Sequence, residues 1–223
     1  MKRFFPVIHV ESSEQALQNV AIATNAKIDG VFLINHTISY MTLLQIYERI
    51  TEQYPNLWIG MNNLDSNYSH TFEHIPSKVS GVWIDNLAID EKSETQIESS
   101  KIRDKFRSSC HALLFGGVAF KYQKHVDDVF KAAKIAADYC DIVTTSGPAT
   151  GQVASIEKIK LMKEAIGDRS LAIASGINLE NISEYIDYAD YFLVSTGISK
   201  DFYSLDERKV SDLAQKIRSY RAK

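Results

Sequence analysis

Short apolar, β-branched runs alternate eight times with longer stretches whose apolar residues recur every three to four positions. The short runs, at residues 4–10, 31–34, 57–61, 82–84, 111–115, 141–144, 171–174 and 191–194, read as strands. They are apolar throughout instead of alternating, as expected of strands buried on both faces of a parallel sheet. Their starts lie about 20–30 residues apart, room for a strand and the helix that returns the chain for the next parallel strand.

The intervening stretches carry helix signals. Ser12, followed by Ala16, Val20 and Ala23, predicts a capped helix. Residues 41–54 carry a stripe through Leu44, Ile46, Tyr47 and Ile50, and residues 127–139 one through Val129, Phe130, Ala133 and Ala136. Ser155 opens another helix, with Ile159, Met162 and Ala165 on its buried side. Asn178 is expected to cap a helix containing Ile182 and Ile186, and residues 210–220 form the last. The polar stretch 91–106 predicts a solvated helix, and 69–75 a very short one.

Eight such units in 223 residues suffice for a single (β/α)8 barrel, near the short end of its usual size. The competing open, doubly wound sheet normally shows a GxGxxG turn after its first strand, and none is present. No linker or composition shift divides the chain, so residues 1–223 are read as one domain, and no cofactor is expected.

Composition narrows the partners. A net charge of −3 argues against a basic surface for nucleic acid. Apolar runs reach only strand length, so no membrane span is expected. The opening Met1-Lys2-Arg3-Phe4-Phe5-Pro6 lacks the apolar stretch of a secretory signal, which leaves a cytoplasmic location as the expectation. Cys110 and Cys140 stand far apart with no CxxC pair, so reduced thiols are expected, with neither a disulfide scaffold nor a structural zinc.

In a parallel barrel the site lies where the strands' C-terminal ends converge. His9 and Glu11 follow the first strand, Asn35 and His36 the second, Asn62 the third, and Asp85 and Asn86 the fourth. Gly116-Gly117 and Lys121 follow the fifth, and Thr144, Thr145 and Ser146 the sixth. Every strand must end in a turn, which accounts for part of this polarity. The recurrence of Asn, Asp, His, Ser and Thr points beyond turns to a binding mouth.

The last two ends are the most specific. Ser175, Gly176 and Ile177 precede a helix, and Ser195, Thr196 and Gly197 follow the final strand. Glycine there admits close backbone approach, and free N–H groups at a helix start stabilise an anion. Both turns are therefore expected to hold a phosphate, the alternative being that the glycines only relieve tight turns. Thr145, Ser146 and Gly147 open a long glycine loop after strand six, read as a ligand-gripping loop or lid, or else a passive connection.

Asp85, behind Gly81-Val82-Trp83-Ile84, is the best placed general base, unless it only caps local backbone. His36 suits a proton donor or a hydrogen bond to a substrate hydroxyl. Lys121 suits phosphate neutralisation or a Schiff base, or is merely solvated. His9 reads equally as a core histidine or a ligand contact. His70-Thr71-Phe72-Glu73-His74 matches the HxxEH pattern of some zinc peptidases, but in a short peripheral segment, so no metal site is expected. Cys110-His111 falls at the opposite, stability-bearing face.

The run Thr145-Ser146-Gly147-Pro148-Ala149-Thr150-Gly151 resembles a stretch of the BtpA-like family. So do Ala174-Ser175-Gly176-Ile177-Asn178 with Glu180-Asn181, and the run from Tyr188-Ala189-Asp190 to Ser195-Thr196-Gly197 and Lys200, in the family's order. Gly30-Val31-Phe32-Leu33-Ile34-Asn35 is similar to a further segment, and Lys121 falls near the family's basic residue. The resemblance implies a TIM-type, ribulose-phosphate-binding-like barrel. Members of that family are associated with photosystem I biogenesis, so the name fixes no reaction. The chain departs from the family at its opening, Val7-Ile8-His9-Val10-Glu11, and carries Ile34 where a Glu is expected.

Two functional readings follow. One is an enzyme acting on a small phosphorylated metabolite, an isomerase, phosphoribosyltransferase or lyase, with a homo-oligomer as a possible assembly. The other is a non-catalytic assembly or regulatory factor that keeps only the phosphate cradle, motivated by the departures in the first half.

Overall fold

The structure, a computed structural model, describes residues 2–65 and 67–221. Met1, where the opening segment begins, lies outside the described residues. Eight strands form one closed barrel: β1 (Arg3–Val10), β2 (Val31–Asn35), β3 (Ile59–Asn62), β4 (Gly81–Ile84), β5 (Leu113–Gly117), β6 (Ile142–Thr145), β7 (Ser170–Ala174) and β8 (Tyr191–Val194). Every pairing is parallel, and β8 closes on β1 through Arg3–Tyr191 to Pro6–Val194. The (β/α)8 barrel expected from the alternation is thus the fold. Among the described residues, no helix is long and apolar enough to cross a membrane.

The connections are α1 (Ser13–Asn25), α2 (Tyr40–Gln53), α3 (Tyr68–Glu73), α4 (Ile97–Ser109), α5 (Val129–Ala136), α6 (Ile156–Ile166), α7 (Ile182–Tyr185) and α8 (Glu207–Arg221). Ser12 and Ser155 cap α1 and α6, accepting from the amides of Gln15 and Lys158. α5 is shorter than the expected 127–139 and α8 starts before 210, but two helices differ most from expectation. α4 begins only at Ile97, because Gln96 bonds both backbone groups of Asp90 and closes the preceding residues into a turn. α7 is four residues long, because the Asn178 side chain accepts from the amides of Glu180 and Asn181 and caps a turn upstream of it.

Strand edges also shift. β2, β3, β5 and β6 run on past their apolar stretches to take in Asn35, Asn62, Gly116–Gly117 and Thr145. Ladder hydrogen bonds need only backbone, so the strands outlast their hydrophobic signal.

The alternate faces of the strands pack differently. One face lies under the helices in the larger core cluster. The other fills the barrel, with Phe5 and Val7, Phe32 and Ile34, Trp83, Phe115, Ile142, Ala172, Tyr191 and Leu193 in one cluster. Phe32 is its hub, edge-on to Phe5, Trp83 and Phe115 at centroid distances of 5.8, 5.9 and 5.0 Å. Gly60 makes room for that ring, since a Cβ there would overlap it. At the N-terminal face one device recurs. Asp29, Asp141 and Asp190 each precede a strand and accept from the amides of Phe4, Leu114 and Leu171 on the strand before, at 2.8, 2.7 and 3.1 Å.

Candidate functional site

Side chains alternate along a strand, so each interior stripe can be extended by two to the barrel mouth. Phe5 and Val7 lead to His9, Phe32 and Ile34 to His36, Gly81 and Trp83 to Asp85, and Tyr191 and Leu193 to Ser195. All four end residues line a cavity of about 160 Å³ at the C-terminal mouth, together with Lys121, Ser175 and Thr196. The structure therefore brings Asp85, His36 and Lys121 together, and sets them beside hydroxyl residues of both predicted phosphate turns.

Asn62 continues the β3 stripe and donates from Nδ2 to Asp85 Oδ1 at 2.9 Å. Burial pushes the Asp85 carboxyl above its ordinary value, opposed by that hydrogen bond and by Lys121. Burial lowers the His36 imidazole, aided by Lys121. His9 is pushed down to about 4, first by burial and then by His36 and Lys121, and its Nδ1 is buried without a hydrogen-bond partner. Both imidazoles are therefore neutral near pH 7, their rings 4.7 Å apart. Trp83 Nε1 and Asn62 Oδ1 are likewise buried and unpartnered. Orphaned polar atoms of this kind are uncommon in folded cores; among the described residues His9 and Trp83 line the cavity and Asn62 bonds its Asp85, while a fourth, Ser13 Oγ, lies on α1. Asn35 is fully committed, holding Leu64 N and Ile38 O at 2.9 and 3.1 Å.

The two glycine turns meet. A Cβ on Gly197 would overlap the Ile177 carbonyl, and one on Gly176, whose φ is +75°, would overlap the Gln152–Val153 backbone. The close approach these glycines permit is thus between neighbouring loops. Among the described residues, the loop hydrogen bonds leave the amides of Gly176, Ile177, Thr196 and Gly197 undonated. Gly197 and Thr196 also border a second recess of about 280 Å³ beside Asn178 and Lys209.

Thr145, Ser146 and Gly147 lie deeper than a lid would. Thr145 and Ser146 are fully buried. Thr145 Oγ1 donates to Ala119 O, and Ser146 Oγ accepts from Lys121 N at 2.8 Å, so this stretch braces the β5 loop. The loop's later residues reach the mouth instead. Thr150 Oγ1 stands 3.4 Å from Lys121 Nζ, and Gly151 N donates to Ser175 Oγ at 3.0 Å.

Sequence reasoning missed three contributors. Tyr122 and Phe202 sit in loops, where no periodicity marks them, yet both line the cavity, as does Thr150 of the loop read as ligand-gripping. Lys158, on α6, donates to the carbonyls of Ala119 and Ser146, and burial lowers its ammonium to about 8. Its signal was hidden within an ordinary capped helix. The HxxEH segment forms α3, where Glu73 pairs with Lys105. Among the described residues no three His, Cys, Asp or Glu side chains are grouped to hold a metal ion. Cys110 and Cys140 are free, and burial pushes the Cys140 thiol up to about 12.

Fold and site together define a parallel (β/α)8 barrel with a small cavity at its C-terminal mouth. The chain belongs to the BtpA family, whose pattern matches residues 79–219. Uncharacterized proteins of Methanocaldococcus jannaschii and Thermococcus kodakarensis are each 32% identical over 113 residues. That stretch is 47% of this chain and 43% of each relative, so the match spans less than half of these curated relatives. Solved barrels share the fold at low identity. A native KDPGal structure superposes with a TM-score of 0.70 at 12% identity, over 99% of this chain and 96% of its own. Phosphoribosyl anthranilate isomerase from Thermus thermophilus gives 0.67 at 14%, over 98% and 100%. Orotidine 5'-monophosphate decarboxylase from Methanocaldococcus jannaschii, complexed with the inhibitor BMP, gives 0.66 at 14%, over 97% and 99%.

Proposed function

We propose that this barrel is an enzyme that binds a small phosphorylated metabolite at its C-terminal mouth and moves a proton with Asp85. The observation that carries the reading is the meeting of a half-buried, Asn62-oriented carboxyl with Lys121 and hydroxyls of the β7 and β8 loops in one cavity. Ser175, Ser195 and Thr196 offer neutral hydroxyls to a phosphate in this cavity and Lys121 a cation, and the undonated amides of Gly176, Ile177, Thr196 and Gly197 lie in the same two turns. Asp85, its proton affinity raised by burial, acts as general base, and neutral His36 donates to or accepts from a substrate oxygen. The solved barrels named for phosphoribosyl anthranilate and orotidine 5'-monophosphate lend the phosphate reading support by analogy of fold. A cytoplasmic setting suits a ligand of this class.

Thermal shift against orthophosphate, phosphosugars and nucleotides tests the binding. Stabilisation by phosphorylated compounds is expected, and Thr196→Asp should remove it by placing a carboxylate at the exposed rim. No stabilisation by any of them overturns the reading. Asp85→Asn should retain binding and lower turnover of the stabilising ligand by about 100-fold or more. It should also leave the fold at least as stable at neutral pH, because a partly desolvated carboxylate is gone. Binding without turnover of any ligand would favour the non-catalytic factor instead.

A further inference from the structure

Two large aromatic rings stand exposed at the mouth. Phe202 is 47% exposed and Tyr122 is 76% exposed, on loops after β8 and β5, and both line the central cavity. Neither loop is slack at these positions. The Tyr203 carbonyl beside Phe202 accepts from Gln15 Nε2 and Asn19 Nδ2, and Asp201 accepts from the amides of Tyr203 and Ser204 at 2.9 Å each. Tyr122 holds φ at +60°, a conformation that strains a bulky residue, with its hydroxyl 3.4 Å from Thr150 Oγ1. Two exposed rings at the rim of one cavity present apolar surface to whatever enters it.

Phe202 stands edge-on to His9 and His36, at centroid distances of 4.2 and 5.0 Å. With both imidazoles neutral, the three rings form an uncharged π surface beside the cavity. Val7, Ile34, Ala174 and Leu193 supply apolar walls. The part of the lining made by these rings and walls offers few partners to the several hydroxyls of an open-chain sugar, each of which loses water on entry. It suits a flat ring, and a cavity near 150 Å³ is the size known to hold benzene. The 160 Å³ here has room for one six-membered ring.

We propose that the ligand of this mouth joins its phosphate to a flat, unsaturated ring, as a pyrimidine nucleoside monophosphate does, with the ring seated against Phe202, His9 and His36. This rests on the phosphate reading above and narrows its substrate class. His9 and Trp83, which line the ring seat, each keep a buried ring nitrogen without a partner among the described residues, a polar character that a heterocycle suits better than a hydrocarbon.

Calorimetric titration with UMP, uridine, ribose 5-phosphate and orthophosphate tests this. UMP is expected to bind at least tenfold tighter than ribose 5-phosphate, since stacking on an aromatic side chain adds to the phosphate contacts. Phe202→Ala should cut UMP affinity about tenfold and leave ribose 5-phosphate unchanged, with an unaltered circular dichroism spectrum confirming the fold. Equal binding of UMP and ribose 5-phosphate, or equal weakening of both by Phe202→Ala, overturns the ring seat while the phosphate reading stands. Uridine binding as tightly as UMP keeps the ring seat and removes the phosphate reading. Absence of binding by all four probes removes both.

Discussion

His9 occupies the last inward position of β1, where a strand's interior stripe reaches the mouth. Its imidazole is held near 4 against an ordinary 6.5, chiefly by burial, so the folded protein refuses a proton that the unfolded chain accepts between those values. Where the unfolded state binds more protons, stability falls as pH falls. At about 1.4 kcal/mol per unit, about 3 kcal/mol should be lost between pH 6.5 and 4 through this residue. Asparagine at this position carries no such proton. Urea denaturation of the wild type and of His9→Asn should therefore give a difference that moves against the wild type as pH drops through this window. A difference independent of pH would show that His9 titrates normally. The position of His9, and those of His36, Asp85 and Ser195, was legible in the sequence, because period two carries an interior stripe from Phe5, Phe32, Trp83 and Tyr191 to the strand end. Whether His9 was a satisfied core histidine was not legible, since that depends on which groups of other strands face its nitrogens.

The connecting elements were less legible than the strands. Thr145 and Ser146 looked like a gripping loop because small hydroxyl residues beside glycine suit a lid, yet they are buried under the β5 loop. Lys158 explains the arrangement. It carries its ammonium from the first turn of α6 to the carbonyls of Ala119 and Ser146, joining the β5 and β6 loops through one side chain. Ser146 in turn accepts from the Lys121 amide, so the brace reaches a residue of the site. Nothing in a single chain's periodicity reveals a lysine that bridges two loops. Lys158→Met should free both carbonyls while sparing the helix cap at Ser155. Two lost hydrogen bonds and one relieved buried charge offset in part, leaving a net destabilisation of about 1–2 kcal/mol. Amide exchange should quicken in residues 119–122 and 146–151 and stay unchanged in β1 and β2. Unchanged exchange in both loops would mean that they are held by their own contacts, not by Lys158.

At the scale of the whole barrel, the cavity exists because the interior below it is filled. Phe32 touches Phe5, Trp58, Trp83 and Phe115, rings drawn from three other strands and the segment before β3, and Trp83 also lines the cavity above. The apolar runs announced that such a core existed, but not that a glycine on β3 is shaped to a phenylalanine on β2; that complementarity appears only when the strands pair in register, Phe32 beside Gly60. Truncating Phe32 to alanine leaves a void that rings fixed by four neighbours fill poorly, and costs about 3–5 kcal/mol. Gly60→Ala fails for the opposite reason, because its methyl overlaps the Phe32 ring, with a penalty of about 1–3 kcal/mol. If the two residues are matched to each other, a smaller partner should rescue the larger one. Phe32→Leu combined with Gly60→Ala is therefore expected to be more stable than the sum of the single losses predicts, with a coupling of about 1 kcal/mol or more. Denaturant melts of the four proteins measure it. Strict additivity would mean that the ring and the glycine relax independently, and that the floor of the cavity is set by the strands' twist and closure instead of by this pair.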